Sequence, residues 1–364
     1  MQILHDTREK PKRALLISIA AEAQSGNEIE KLSESLGLEI ASHEKIRIRE
    51  KNPKFGMGSG KAEELAKKAA ELKTDLMVFD MNLSPSQQRN WEEISGLPVI
   101  DRQELIIKIF ADRASTREAE LQVKLAELVY LLPRLSHKYI DLSRQRGGRY
   151  GTKGAGETKL ETDRRKLEKR IHQLEKEIEN VGKQRRMQRR QRERNNLPVC
   201  AIVGYTNAGK SSLLNALTGA EVQTEDKLFV TLDAVTRRLM IAPDTGVLLT
   251  DTVGFIRSLP HSLIKAFRST LEEAAVSDIL IHVLDASDPE IDKNCETTMA
   301  VLSEIGAADI PVIVFLNKID RLPVNAVTLD EILNRYPGSI AGSVKNGTGF
   351  DELKERILRS GICA

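Results

Sequence analysis

Three cysteines are all that 364 residues contain, and Cys200, Cys295 and Cys363 show no Cys-x-x-Cys or Cys/His spacing. That spacing excludes a disulfide framework and a structural zinc site, so reduced thiols are expected. No stretch approaches the about 18 consecutive apolar residues a membrane-spanning helix requires. The opening residues, MQILHDTREKPKR, lack the apolar run of a secretion signal, and a cytoplasmic protein without a membrane span is expected. Aromatic residues are scarce, at 4% of the chain. His43, His137 and His261 have no partner at metal-ligand spacing and are read as structural. Net charge is also nearly lacking, at +2, but it is unevenly spread: residues 133 to 195 hold 20 Lys+Arg against 9 Asp+Glu. The rest of the chain must therefore be acidic, which points to a polyanion-facing element on an acidic body.

With 40% hydrophobic and 30% charged residues the chain reads as globular, and its length exceeds what one core fills. Three parts are expected. Residues 1–112 alternate apolar runs with amphipathic stretches, "ALLISIA", "NEIEKLSESLG", "LEIASHEKIRIR", "GKAEELAKKAAELK", "DLMVFD" and "VIDRQELIIKIF", the pattern of a small α/β domain. Residues 113–196 lose the β signal. Leu121, Leu125, Leu128 and Leu132 form one helical seam, and Leu167, Ile171, Leu174, Ile178 and Val181 a second. Pro133 ends the first helix, and a loop bearing Gly147, Gly148, Gly151, Gly154 and Gly156 separates the two, so a basic antiparallel helical hairpin is expected. After Val181 the seam fades into "KQRRMQRRQRERNN", where an exposed or frayed helix end is expected. Residues 197–364 carry "VCAIV", "VLLTDT", "ILIHVLDAS" and "PVIVFLNKID", continuous apolar runs suited to parallel strands covered on both faces. The third part is thus a doubly wound, mostly parallel α/β domain.

Chemistry concentrates in that third part. "GYTNAGKSS", Gly204, Tyr205, Thr206, Asn207, Ala208, Gly209, Lys210, Ser211 and Ser212, follows a strand and opens a helix, the context of a phosphate loop. Glycines let backbone amides curl around phosphates, Lys210 reaches the β/γ oxygens, and the Ser211 hydroxyl ligates Mg²⁺. At the end of "VLLTDT", Asp251, Thr252, Val253 and Gly254 form D-x-x-G, which offers a carboxylate to the magnesium shell and a glycine N–H to a γ-phosphate. In the loop "DKLFVTLDAVTR", with Phe229 and Val230 before it, Thr231 is the candidate for the metal-reaching switch threonine, with Thr224 and Thr236 as competitors. "NKID", Asn317, Lys318 and Asp320, selects the base. A carboxylate accepts two hydrogen bonds from guanine N1–H and N2–H₂, which adenine cannot offer, so GTP/GDP is favoured over ATP. Ser343, Val344 and Lys345 can then supply a backbone N–H to guanine O6. Lys210, Thr231 and Gly254 are the catalytic candidates, and Ser211, Thr231 and Asp251 the metal ligands.

Phe255 stands where many such enzymes place a water-orienting glutamine, and it can neither donate nor accept a hydrogen bond. Slow hydrolysis in isolation is expected. A partner acting on the switches could raise it, as could K⁺, for which Asn207 is the candidate because the same position resembles that of potassium-activated GTPases. Arg144, Arg146, Arg149, Lys153 and Lys159 around the glycines suit close approach to an RNA backbone, read by shape and charge because Tyr150 is the loop's one aromatic residue. "FGMGSGKAEEL" mimics a second phosphate loop but has too few residues before Gly60-Lys61 and no Ser/Thr after, so a helix-entry turn is expected.

These motifs together resemble the translation-factor-related GTPases. The stretches "GMGSGKAEEL", "LSPSQQRNWE", "VIDRQELIIKIFADRASTREAELQVKLAELVYLLPRL" and "GTKGAGETKLETDRR" narrow the resemblance to the HflX family over nearly the whole chain. It implies a GTP hydrolase, expected to be a monomer, that associates with the large ribosomal subunit and its RNA through the hairpin and acts in ribosome dissociation or rescue. Ala155, Lys159, Ala234 and "SVK" depart from the family's commoner residues, and the chain ends soon after "FDELKERILRSG" without a further domain that some relatives carry. A GTPase partner in tRNA modification and an RNA-binding chaperone with vestigial turnover stand as alternatives.

Overall fold

A computed structural model describes residues 11–20, 28–48, 52–135, 153–193, 197–220, 228–229, 232, 234–243, 245–257, 268–323 and 326–360. Two compact units emerge, one of Met1–Asp112 with Glu127–Arg170 and one of Arg113–Ala126 with Ile171–Ala364.

In the first unit, β1 (Arg13–Ile19), β2 (Glu39–Ile46), β3 (Leu76–Phe79) and β4 (Val99–Asp101) form a parallel sheet in the order β2-β1-β3-β4. Leu15 and Ile17 of β1 join a core with Phe55, Phe79 and Trp91, whose indole N–H donates to Phe55 O at 3.0 Å. The intervening helices are α1 (Glu28–Ser35), α2 (Ser59–Glu71), α3 (Pro85–Ser95) and α4 (Arg102–Arg113). Ser84 and Gln87 close a reciprocal cap that starts α3. "VIDRQELIIKIF" divides into β4 and α4, since Leu105, Ile106, Ile109 and Phe110 bury at helical spacing. The glycine stretch at 56–60 leads into α2, and Lys61 Nζ lies 2.7 Å from Glu64 Oε1 in an exposed helical pair, the helix entry expected.

α5 (Arg117–Leu131) ends in a 3₁₀ turn, Leu132–Arg134, containing Pro133. Its last residue, Arg134, donates to the buried Asp101 carboxylate at 3.0 Å and to Leu83 O at 2.9 Å, and stacks 3.5 Å above the Tyr130 ring. Burial pushes the Asp101 carboxyl up against these bonds. The first seam differs from expectation. Ala119, Val123, Ala126 and Tyr130 are the deepest line, Leu125 is buried beside it, and Leu121, Leu128 and Leu132 are half-buried. The apolar arc is thus wide, as on a helix facing a core, instead of the narrow seam of a coiled coil. α6 (Lys153–Glu193) keeps its expected line, with Leu174 fully buried and Leu167, Ile171, Ile178 and Val181 half-buried. Leu128 and Leu135 share one cleft with Asp163, Leu167 and Arg170, which sets the end of α5 beside α6. Two boundaries move. α6 begins at Lys153, so Gly154 and Gly156 are helical, and it continues to Glu193, because Gln, Arg, Met and Glu favour helix without a seam to pack. Arg144, Arg146, Gly147, Gly148, Arg149, Tyr150 and Gly151 lie outside the described residues.

The second unit holds β5 (Val199–Gly204), β6 (Val235–Ala242), β7 (Thr245–Asp251), β8 (Ile279–Asp285), β9 (Val312–Asn317) and β10 (Ile340–Ala341) in the order β10-β9-β8-β5-β7-β6. Among the described strands of this sheet, only the β6–β7 pair is antiparallel. α7 (Lys210–Thr218), α8 (Arg268–Ala275), α9 (Ile291–Glu304), α10 (Ala326–Arg335) and α11 (Phe350–Arg359) complete it. Cys200 and Ile202 of β5 pack with Leu213, Leu353 and Ile357 on one face, and Ala201 and Val203 with Leu271 and Val301 on the other, the period-two signature of a doubly covered strand. β6 occupies part of what the sequence presents as a switch loop. Its VTRRLMIA carries Arg237 and Arg238 midway, the weak apolar signal of an edge strand. Among the described residues, no helix is long and apolar enough to cross a membrane, and Cys200 and Cys295 are not joined in a disulfide.

Candidate nucleotide-binding site

The carboxyl ends of β5, β7, β8 and β9 gather the motif residues along the edge where sheets of this kind hold ligands. Tyr205, Thr206, Asn207, Ala208 and Gly209 form the turn between Gly204, at the end of β5, and Lys210, at the start of α7. Gly209 has φ 99°, and a Cβ there would meet Asn317 Nδ2 at 2.3 Å. At Gly254 a Cβ would lie 2.8 Å from Thr206 Cγ2 and 2.9 Å from Lys210 Nζ. Only glycine keeps this space open, and what remains is a cradle of backbone amides at a helix start. Thr206 Oγ1 is buried there with no partner among the described residues.

Lys210 Nζ donates to Tyr205 O at 2.8 Å. Burial, reinforced by the Lys318 charge, draws its pKa down to about 8 although Asp251 opposes the shift. An anion beside Nζ would restore the full charge. Ser211 Oγ, on α7, donates to Asp251 Oδ2, at the end of β7, at 2.6 Å. Two hard oxygens from separate elements are a donor set that fits Mg²⁺, with water and phosphate oxygens for the remaining positions. Ser212 follows in the first turn of α7, Thr252 Oγ1 donates to Ile202 O at 2.7 Å, and Val253 is buried.

The residues read from the sequence as base-selecting are bound to the turn read as a phosphate loop. Asn317 Nδ2 donates to Ala208 O at 2.9 Å, and its Oδ1 accepts from Val344 N at 3.0 Å. Lys318, at φ 64°, donates from Nζ to Asn207 O at 2.7 Å and pairs with Asp285 Oδ2 at 2.7 Å. The Asp320 carboxylate accepts from Ser343 Oγ, which holds its carboxyl below the usual range, and Lys345 adds its charge. Segments more than a hundred residues apart are thus joined side chain to backbone.

Phe255 turns its ring away from this edge. It is fully buried with Ala201, Val203, Leu271 and Leu280, while its backbone N donates to Gly204 O at 3.1 Å and its O accepts from Thr206 N at 2.8 Å. Thr236 leaves the contest for the switch threonine: it sits in β6, its hydroxyl 3.0 Å from that of Thr250. Leu228 and Phe229 are buried, whereas Thr224, Val230 and Thr231 lie outside the described residues. Sequence reasoning passed over Asp285, although ending an apolar strand at the carboxyl edge could have nominated it, and Arg257, which carries no local signal. It also passed over His282, buried on β8 with Nε2 unpartnered among the described residues. Burial, with the Lys210 charge, pushes its pKa down to about 4.

Comparison with known proteins agrees in outline. Three family models match in succession: "GTP-binding GTPase N-terminal" over residues 23–111, "GTP-binding GTPase Middle Region" over 113–192 and "50S ribosome-binding GTPase" over 199–318. A "GTPase HflX" from Akkermansia muciniphila is 47% identical, covering 96% of this chain and 85% of the relative. One from Escherichia coli is 42% identical, covering 91% and 77%. Among solved structures, a complex of SsGBP with GDP is 28% identical with a TM-score of 0.54, covering 96% of this chain and 98% of that one.

Proposed function

This chain belongs to the HflX family of GTPases and hydrolyses GTP, and from that premise we propose that it spends the nucleotide on an encounter with the large ribosomal subunit, in ribosome dissociation or rescue. The observation that carries the residue assignments is the bonding of Asn317 and Lys318 to the carbonyls of Ala208 and Asn207, which makes phosphate loop and base-selecting segment one rigid receptor. In it the amides of residues 204–210 and Lys210 hold the phosphates, Asp320 accepts from the guanine edge, and the backbone at 343–345 faces O6. Ser211, Asp251 and Thr231 would hold Mg²⁺, which when bound neutralises charge on the β- and γ-phosphate oxygens. Gly254 offers its N–H to the γ-phosphate.

With Phe255 in the core, no side chain at that position orients the attacking water, so the isolated protein turns over slowly. The ribosome supplies or orders the absent element. K⁺ beside Asn207 is the second source. The basic excess of residues 133–195 meets ribosomal RNA, and the continuity of α6 carries Arg185, Arg186, Arg189 and Arg190 on a single rod. The protein works in the cytoplasm as a monomer of three parts, 1–112, 113–196 and 197–364.

The test is steady-state GTP hydrolysis with and without large subunits, in matched KCl and NaCl. Stimulation on the order of 10³-fold or more is expected with subunits. Unchanged rates would end the ribosome reading, and equal rates in the two salts would end the K⁺ reading.

A further inference from the structure

The D-x-x-G segment is held at its far end by contacts that none of the nucleotide motifs account for. Arg257 places NH1 2.9 Å from Glu290 Oε2 and donates from NH2 to Asn294 Oδ1 at 3.0 Å, while its backbone N–H donates to the Tyr205 hydroxyl at 3.1 Å. Guanidinium and carboxylate are 19% and 17% exposed, dry enough for the pair to outweigh a surface contact. The receiving turn is itself organised: Asn294 Nδ2 donates to Asp288 Oδ2 at 2.9 Å and Glu290 N to Asp288 Oδ1 at 2.9 Å. That turn begins at Asp285, which holds Lys318 of the base-selecting segment.

Further polar ties of this segment run to β5 and the phosphate loop, through Asp251 to Ser211, through Thr252 Oγ1 and through the Phe255 backbone. The Arg257 side chain ties it to α9 at Asn294. Position matters here because Gly254 sits so close to Thr206 and Lys210 that even a methyl group does not fit. A displacement of a fraction of an ångström at a reacting centre is enough to cost rate.

We propose that Arg257, docked on Glu290 and Asn294, is a positioning residue that aligns Gly254 with the γ-phosphate and so makes the site discriminate GTP from GDP. The proposal rests on the assignment of Gly254 to the γ-phosphate.

The test compares Arg257→Ala, Glu290→Gln, their double variant and Arg257→Lys with the wild-type chain, by calorimetry with GDP and a nonhydrolysable GTP analogue and by single-turnover hydrolysis. Removing one charge-assisted contact should weaken the analogue about tenfold and slow hydrolysis about tenfold, with GDP affinity kept within about twofold. Glu290→Gln should give a smaller change of the same kind, the double variant no more than Arg257→Ala, and lysine should recover part of the loss. Parallel weakening of both nucleotides, additive effects or no effect would overturn the proposal. Should Arg257→Ala fail to fold, Glu290→Gln and Asn294→Ala decide it by the same GTP-to-GDP ratio. Gly254→Ala separates the premise: if it too leaves that ratio unchanged, the γ-phosphate assignment has failed; if it collapses the ratio while the Arg257 variants do not, only the positioning role has.

Discussion

At the carboxyl edge of the first sheet, Arg102 is closed between Glu28 and Asp80, and Ser18, His43 and Glu30 form a chain of hydrogen bonds of 2.8 and 2.7 Å. At the same edge of the second sheet, glycines hold back from filling the space between strands, and charged groups stop short of full satisfaction. Lys210 is buried enough to lose affinity for its own proton, and Thr206 Oγ1 has no partner among the described residues. Both sheets are parallel or mostly so, and both bring polar residues to the edge where ligands bind. The difference is that the first edge closes its charges on one another, whereas the second sets a buried lysine and a buried hydroxyl beside space that only glycines leave open. Parallel architecture supplies the place for a site, and the balance of charge left unsatisfied there decides whether it is one.

The largest break in that comparison is Lys210→Ala. Losing the buried cation we assign to the phosphate oxygens should weaken GTP on the order of 10³-fold by calorimetry, with urea unfolding of the first unit unchanged. Next comes Arg102→Ala, which leaves Glu28 and Asp80 without their shared cation and should destabilise the first unit by about 3 to 5 kcal/mol. Nucleotide affinity under folded conditions should stay within about twofold. A large loss of GTP binding in this variant would mean that the first edge takes part in the site after all.

A smaller effect separates the units by pH. With its folded pKa near 4 and an ordinary value of 6.5, His282 stays neutral in the folded chain while the unfolded chain takes up a proton. Stability is therefore whole above about pH 6.5 and falls as pH drops toward 4, by on the order of 3 kcal/mol in the limit. His282→Gln should flatten that part of the denaturation profile for the second unit only. Smallest is Lys61→Ala. Its exposed pair with Glu64 contributes about 0.5 kcal/mol or less, and the stoichiometry of one GTP per chain should not change. Two nucleotides per wild-type chain, falling to one in this variant, would restore the glycine stretch at 56–60 as a phosphate loop.

Legibility in the sequence followed the range of the forces involved. "GYTNAGKSS" is a strand, a turn of special backbone and a helix start within nine residues, so its geometry is local and its reading needs no fold. The same holds for β8 and β9, whose continuous apolar runs admit one burial. β6 escaped notice because an edge strand needs little apolar content, and Arg237 and Arg238 broke the pattern that would have revealed it. On α5 the leucines drew attention by size, yet Ala119, Val123 and Ala126 lie deeper. Periodicity identifies an apolar arc but not its centre, which depends on what packs there.

The residue types alone nominated a guanine-nucleotide site in the last stretch of the chain: glycines where amides can converge, a lysine and a serine following them, and an Asn-Lys-x-Asp after a buried run are features of short stretches of backbone. Only the assembled sheet decided that the Phe255 ring enters the core, that Thr236 pairs across an edge strand with Thr250, and that Arg257 meets Glu290 and Asn294 at the start of a helix more than thirty residues away. A side chain's direction and its partner depend on which strands become neighbours, and that outcome belongs to burial summed over the whole domain, not to any single stretch of chain.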